Sequence, residues 1–472
     1  MVRKKVKHLS RVKKTAFIGI RSFGIKMDNK TIYALSTLFG KSGIAVIRIS
    51  GSDAFSVFDK MTDIDSAKAI SRKMYYSKIF DSVSHETLDN CMIVGFRAPN
   101  SFTGEDTVEI NCHGSKAVIR SILEALSALP SFRLAEPGEF SRRAFYNGKM
   151  DLTEADGLAD LIDAETKIQQ KTALRQMGGT LFNLYNSWRE ELVAMQAYLE
   201  AFIDFPDEEI PEDTVLKIEN TVFKLMEQIS DHIEDNKIEE RLRDGFQVVI
   251  SGPTNAGKSS LINALVKRNV AIVSDIAGTT RDVIDAYVDI NGFPVIFSDT
   301  AGLRESSDII EQLGVKLAQE KVAAADYNIF LFDAENTSPD IFAQYCKQNS
   351  HYLLVANKAD KISNFRKNEL ESQGCIVISA KNNENISAIS SRLSQYFDSM
   401  YQQSSASLIT RHRYKESLKE CLENLQRFNL QKSIELAAED IRLACRAIGK
   451  ITGRVEVNEI LDKIFSSFCI GK

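Results

Sequence analysis

No stretch of this chain is apolar over anything near the ~20 residues of a membrane-spanning helix, so nothing in it reads as a bilayer span. Paired cysteines are missing too. Cys91, Cys112, Cys346, Cys375, Cys421, Cys445 and Cys469 are odd in number and scattered, with no C-x-x-C and no histidine at zinc spacing. That speaks against a disulfide framework or a zinc module and for free thiols in a reducing compartment. Excess positive charge is also lacking. Lys and Arg number 59 against 64 Asp and Glu, a formal net charge of −5, so an RNA partner must use a local basic patch or a second protein. Acidic residues are absent from Met1 to Lys26, which carry Arg3, Lys4, Lys5, Lys7, Arg11, Lys13, Lys14, Arg21 and Lys26. This stretch has no apolar h-region and leans on lysine rather than arginine and serine. It reads as a disordered basic tail or an upstream-extended start ahead of Met27, with a transit peptide as the alternative. The expected location is cytoplasmic, or the mitochondrial matrix if residues 1–26 are such a peptide.

What is present has the balance of an ordinary soluble protein, 44% apolar and 26% charged, and 472 residues suggest two to four domains. After the tail, residues 27–147 read as a compact α+β domain. Gly43–Gly51, Asp89–Phe96 and Thr107–Cys112 have strand patterns, and Ser115–Ala128 has helical spacing. The loops Pro99–Asp106 and Glu136–Ser141 lie between or after them. Residues 148–243 change to long amphipathic helices, expected over Asp151–Arg175, Gly179–Phe202 and Val215–Leu242. A nucleotide domain follows over 244–401. Helices return over 402–472, at Arg413–Asn429, Ser433–Gly449 and Val457–Phe465. The pattern is a helical domain split by an insertion, which is tolerated where two chain ends lie close.

The chemistry is densest in that insertion. Val248-Val249-Ile250 is a buried-strand pattern running into G-x-x-x-x-G-K-S, from Gly252 to Ser259, ahead of a helix start at Ser260. In such a loop Asn255, Ala256 and Gly257 wrap the phosphates, Lys258 reaches the β/γ oxygens and the Ser259 hydroxyl ligates Mg²⁺. Gly278-Thr279-Thr280 supplies a mobile hydroxyl, Thr280, for Mg²⁺ and the γ-phosphate. Asp299-Thr300-Ala301-Gly302 ends a strand with a metal-facing acid. Asn357-Lys358-Ala359-Asp360 lets one carboxylate accept the N1–H and 2-amino group of guanine, donors that adenine lacks on that edge. Ser379-Ala380-Lys381 completes a guanine-nucleotide set in a Ras-like, doubly wound sheet. Leu303 stands where small regulatory GTPases carry the water-orienting glutamine, so another group must do that work. Glu311 is the acidic candidate, a solvated helix carboxylate the plain alternative.

Beyond the GTPase motifs, the chain resembles the MnmE (TrmE) family from Thr31 to Lys472. The likeness rests on Arg48–Gly51, Pro99–Asp106, Pro137–Ser141, Asp151-Leu152, Phe205–Glu209, Asp275–Asp282 and the terminal Phe465–Lys472. The resemblance implies a homodimer joined through folate-binding N-terminal domains. In these Arg48, Glu109, Lys149 and Lys472 would contact 5-formyl- or methylene-tetrahydrofolate. It further implies potassium in place of an arginine finger, held by Asn255, Ser274, Ile276 and Thr279. The loop Ser274–Thr280, with Asp275, Ala277 and Gly278, would then line the GTP, and Glu311 would orient water. Cys469 in Cys-Ile-Gly-Lys would act as a nucleophile or position the ligand; a prenylation box is a poor match, since Gly471 is not aliphatic. The implied function is GTP-driven carboxymethylaminomethyl or aminomethyl addition at C5 of the wobble uridine of tRNA, with the flavoprotein MnmG (GidA) as partner. A ribosome-assembly or signalling switch GTPase is the rival, and it would need neither folate contacts nor a terminal thiol. The Thr37–Gly43 turn and Pro253-Thr254 depart from the family's usual residues.

Overall fold

The computed structural model describes residues 30–204, 212–234, 237–268, 270–271, 285–299, 322–336, 351–403, 411–431, 433–454, 461, 464–466, 468 and 470–471. The chain forms two compact units, Met1–Ala159 with Gly449–Lys472, and Asp160–Ile448.

The first unit is built on a six-stranded sheet in the order β3-β4-β5-β2-β1-β6. Its strands are β1 (Thr31–Leu35), β2 (Ser42–Ser50), β3 (Met74–Phe80), β4 (Thr87–Phe96), β5 (Thr107–Gly114) and β6 (Phe132–Leu134). All neighbours are antiparallel except β1 and β6. Alternation sends Ala45, Ile47 and Ile49 of β2, with Val108, Ile110 and Cys112 of β5, into one core. Phe55 and the helices α1 (Ser56–Met61) and α2 (Lys116–Ser127) cover it. The in-between residues, Arg48 and Ser50 on β2 and Thr107 and Glu109 on β5, therefore share the opposite face. Glu136–Ser141, expected as a loop, is a turn running into a helix, α3 (Glu139–Tyr146), because Gly138 takes a left-handed φ of 65° and starts it. Phe140 of α3 packs with Ile32 and Ala34 of β1 on the Arg48 face. The carboxyl-terminal segment belongs to this unit. Leu461, Ile464, Phe465 and Phe468 pack with Phe145 and with Leu152 and Ala155 of α4 (Leu152–Ile162).

The second unit holds helices α5 (Lys167–Met177), α6 (Thr180–Asp204), α7 (Glu212–Glu234) and α8 (Lys237–Asp244) before the nucleotide domain. The single helix expected over Asp151–Arg175 is instead α4 and α5. The break comes at Thr166, whose hydroxyl accepts the Gln169 amide while the Gln169 side chain accepts the Thr166 amide, a reciprocal cap that starts a new helix. Along α6, Leu181, Tyr185, Trp188, Leu192, Met195 and Leu199 recur at helical spacing and are all buried.

The nucleotide domain carries a seven-stranded sheet in the order β13-β12-β11-β7-β10-β9-β8. The central strand is β7 (Phe246–Ser251), with β10 (Phe293–Asp299) and β11 (Tyr327–Asp333) parallel on either side. β12 (Tyr352–Asn357) and β13 (Ile376–Val377) continue the parallel part; β9 (Asp285–Ile290) and β8 (Val270–Ala271) form an antiparallel edge. Buried on both faces, β7 carries the unbroken apolar run Val248-Val249-Ile250, as a central parallel strand does. Helices α9 (Lys258–Arg268), α10 (Asn364–Ser372) and α11 (Ile386–Gln403) follow, then α12 (His412–Arg427) and α13 (Ile434–Thr452). Among the described residues no helix is long and apolar enough to cross a membrane, and no cluster of three His, Cys, Asp or Glu side chains is set to hold a metal.

Candidate functional site

The nucleotide site grows from the end of β7. Gly252 has φ 140°, and a Cβ there would stand 1.9 Å from the Leu331 carbonyl oxygen, so the chain can turn beside β11 only as glycine. Asn255 adopts φ 64°, a left-handed conformation asparagine tolerates better than most residues, and its side chain is exposed. Lys258 opens α9 yet is only 8% exposed. Its ammonium donates to the Gly252 and Pro253 carbonyls at 3.0 Å each, holding a cation over the loop's own backbone. Ser259 and Ser260 follow, exposed on the first turn. A helix start with a glycine-rich loop and a lysine is a phosphate cradle on dipole and donor geometry.

Asn357 ties this cradle to the base-reading segment. Its amide donates to the Ala256 carbonyl at 2.8 Å, and its side-chain oxygen accepts the Ala380 amide at 3.0 Å. The Ser379 hydroxyl donates to Asp360 Oδ1 at 2.6 Å. That bond, with Lys381 and Lys361 nearby, holds the exposed Asp360 carboxyl below its ordinary range, keeping it an acceptor. Lys358 takes φ 69° and pairs with Asp333 Oδ2 at 2.7 Å. Sequence reading missed Asp333; its position, as the one acid ending β11, was the available signal. Asn255–Ser260, Asn357–Asp360 and Ser379–Lys381 are thus brought together at the carboxyl ends of the parallel strands. Asp299 closes β10 in register with Ile250. Ser274, Asp275, Ile276, Ala277, Gly278, Thr279, Thr280, Thr300, Ala301, Gly302, Leu303 and Glu311 lie outside the described residues.

A second constellation sits in the first unit. Arg48 and Glu109 are register partners on β2 and β5, and Arg48 Nε donates to Glu109 Oε1 at 2.9 Å. The guanidinium lies 5.1 Å from the Phe102 ring centroid and 5.8 Å from that of Phe140. Loop Pro99–Asp106 brings Phe102 there and passes Lys149: a Cβ on Gly104 would stand 3.2 Å from Lys149 Cε. Arg48, Glu109 and the exposed Lys149 thereby flank one loop. Sequence reading quoted this loop without seeing its anchor. Ser50 bonds Thr103 at 2.6 Å and Glu105 at 2.8 Å, and Arg143 joins Glu105 at 3.0 Å to Glu139, which also takes Arg133 at 2.6 Å. The motif residues Ser50, Thr103, Glu105 and Glu139 are therefore one hydrogen-bonded network. Burial raises the Glu139 pKa, but the bond from Arg133, the Glu136 amide and the charges of Arg143 and Arg133 outweigh it and leave the carboxyl below its usual range. Cys469 and Lys472 lie outside the described residues. Between them Gly471, at φ 98°, accepts the Ser36 hydroxyl at 2.9 Å on its carbonyl.

Two family models match the chain: the GTP-binding protein TrmE N-terminus over residues 31–149 and the MnmE helical domain over residues 152–469. The tRNA modification GTPase MnmE of Rickettsia bellii (strain RML369-C) is 46% identical over 446 residues, 94% of this chain and 100% of that protein. That of Rickettsia prowazekii (strain Madrid E) is 45% identical over 448 residues, with the same shares covered. Among solved structures, Aquifex aeolicus Era bound to GDP and AlF4⁻ is 30% identical over 32% of this chain and 56% of that one, at a TM-score of 0.26.

Proposed function

The chain belongs to the MnmE family of tRNA modification GTPases and is a GTP hydrolase of tRNA modification; from that premise we propose that it acts on the wobble uridine. The product would carry carboxymethylaminomethyl or aminomethyl at C5, with a tetrahydrofolate one-carbon donor and the flavoprotein MnmG as partner, in the cytoplasm. The observation that carries this reading is the Arg48–Glu109 pair set against Phe102 and Phe140. Guanidinium donors, a carboxylate acceptor and flat aromatic walls suit a ligand that joins carboxylates to a ring bearing N–H groups. The Arg48–Glu109 bond uses the Nε edge of the fork, so the Nη groups retain donors for a ligand carboxylate. Lys149 would add a second cation and Glu109 would meet ring N–H groups. Bound tetrahydrofolate supplies the one-carbon unit. Cys469 and Lys472 are assigned to the same site, as nucleophile or positioning thiol and as ligand contact.

At the nucleotide site Asp360 selects guanine, Lys258 steadies the β/γ oxygens, and Ser259 and Thr280 would ligate Mg²⁺. Asn255 suits a hard cation: its exposed amide oxygen stands on a backbone turned left-handed inside the phosphate loop. It would share potassium with Ser274, Ile276 and Thr279. Bound potassium supplies positive charge where phosphoryl transfer builds negative charge. Glu311 orients the attacking water in place of the absent glutamine, and two such domains meeting face to face complete the site in a homodimer.

The test is mass analysis of wobble uridines from cells with and without the chain; persistence of the modified uridine after deletion would sink this reading. For the cation, GTP turnover should be several-fold faster in potassium than in sodium at equal ionic strength. Asn255→Gly, which keeps the backbone conformation, should erase the difference. Equal rates in both salts would remove the potassium assignment.

A further inference from the structure

We propose that the exposed face of α5, carrying Lys167, Lys171 and Arg175, tracks the phosphate backbone of tRNA; this rests on the tRNA-modifying reading above. In a chain of net charge −5, the stretch between Glu165 and Glu190 has Lys167, Lys171, Arg175 and Arg189 and no acidic residue. Helical geometry gathers the first three: Lys167 and Lys171 are four apart, as are Lys171 and Arg175. Lys167 and Lys171 are exposed and Arg175 half-buried, with Leu174 51% exposed among them.

The opposite face of the helix, Thr172, Ala173 and Gln176, is buried. The nearby acids lie on that side. Asp160, Asp163 and Asp244 line a cavity of about 420 Å³ with Gln169, Thr172 and Arg411. Asp160 is taken by Arg411 at 2.6 Å and Asp244 by Arg243 at 2.7 Å. Glu165, next to the cap, has its pKa raised by burial and then by the charge of Asp163. Among the described residues Lys167, Lys171 and Arg175 thus have no acidic partner. This arrangement works against the helix itself. Lys167 is its first residue, where the macrodipole disfavours a cation, and like charges four apart repel. A polyanion relieves both penalties. Cations spaced one helical turn apart, about 6 Å, match successive phosphates along a strand. The first turns of α6 add exposed neutral side chains, Thr180, Asn183 and Ser187, which bring no negative charge against a phosphate.

The experiment uses the full-length protein and its triple variant K167Q/K171Q/R175Q, glutamine being as good a helix former as lysine. Affinity for bulk tRNA is measured across a potassium chloride series. The expected result is a loss of about tenfold or more, with the slope of log affinity against log salt smaller by about 2–3, as three lost phosphate contacts require. GTP turnover should stay at the wild-type level and the melting temperature should hold or rise slightly, because neutral side chains also relieve both penalties, and K224Q on the exposed part of α7 should bind as wild type. Wild-type affinity and slope in the triple variant would overturn the proposal. So would a wild-type chain that binds no tRNA, or a variant that keeps tRNA affinity but loses the flavoprotein, which would make the face a protein contact. The tRNA-modifying reading stands or falls separately, on whether deletion of the chain removes the modified wobble uridine.

Discussion

At the residue scale, two side chains matter most to the candidate nucleotide site. Asp360 is the proposed reader of the base, and Asn357 bonds Ala256 of the phosphate loop and Ala380 at once. Asp360→Asn replaces an acceptor with an amide whose N–H faces the guanine donors. Affinity for GTP should fall by about two orders of magnitude or more, on the ~1.5–3 kcal/mol of each charged hydrogen bond. Affinity for xanthosine triphosphate, which offers a carbonyl at that edge, should rise; fluorescent-nucleotide titration measures both. Unchanged GTP affinity would remove Asp360 from base recognition. In the first unit Glu139 makes a pH prediction. Its folded pKa is depressed, so its contribution to stability is present above its unfolded value of 4.5 and is lost as pH falls through the folded one. Denaturant midpoints should therefore fall on acidification below about 4.5, and Glu139→Gln should flatten that fall while costing stability at neutral pH by leaving Arg133 and Arg143 without their shared carboxylate.

At the scale of elements, Gln169 does more than cap α5. Its amide donates to the Arg243 carbonyl at 3.2 Å and to the Tyr287 hydroxyl at 3.1 Å, so one side chain links the start of α5, the end of α8 and β9. Gln169→Ala should cost about 1–3 kcal/mol, since three part-buried bonds go at once. Thr166→Ala removes the cap alone and should cost about 1 kcal/mol. Urea unfolding orders the two, and an equal cost would mean that the links to α8 and β9 contribute nothing. The sequence pattern ran straight through this point because Asp151–Arg175 keeps helical spacing on both sides of the break. Periodicity reports which face is apolar; it does not report where a hydroxyl captures an amide and restarts the helix.

At the scale of the molecule, the carboxyl-terminal segment closes onto the first unit through glycines that nothing else can replace. A Cβ on Gly471 would stand 2.2 Å from the Leu35 carbonyl oxygen, and one on Gly138 2.2 Å from that of Phe465. Both have positive φ, which alone costs an alanine about 1–2 kcal/mol. Gly471→Ala should lift the last residues from β1. That would raise protease cleavage near the terminus and weaken the proposed folate binding, with GTP turnover unaffected. Resistance to cleavage equal to wild type would show that the close approach does not hold the terminus.

The amino-acid sequence by itself pointed to the candidate nucleotide site, because Gly252–Ser259, Asp299 and Asn357–Asp360 are short motifs whose proposed chemistry follows from residue type and order. It also determined the helical spacing of α6 and the alternation of β2 and β5, since one face must be apolar. The tertiary structure alone decided that Arg48 and Glu109 are a cross-strand pair, that Ser50, Glu105, Arg143 and Glu139 are one network, and that Leu461, Ile464, Phe465 and Phe468 pack with Phe145, Leu152 and Ala155, far earlier in the chain. Each of these depends on register or on long-range approach. A one-residue slip of β2 would send Arg48 into the core, and no local pattern in the chain encodes which strand lies beside it.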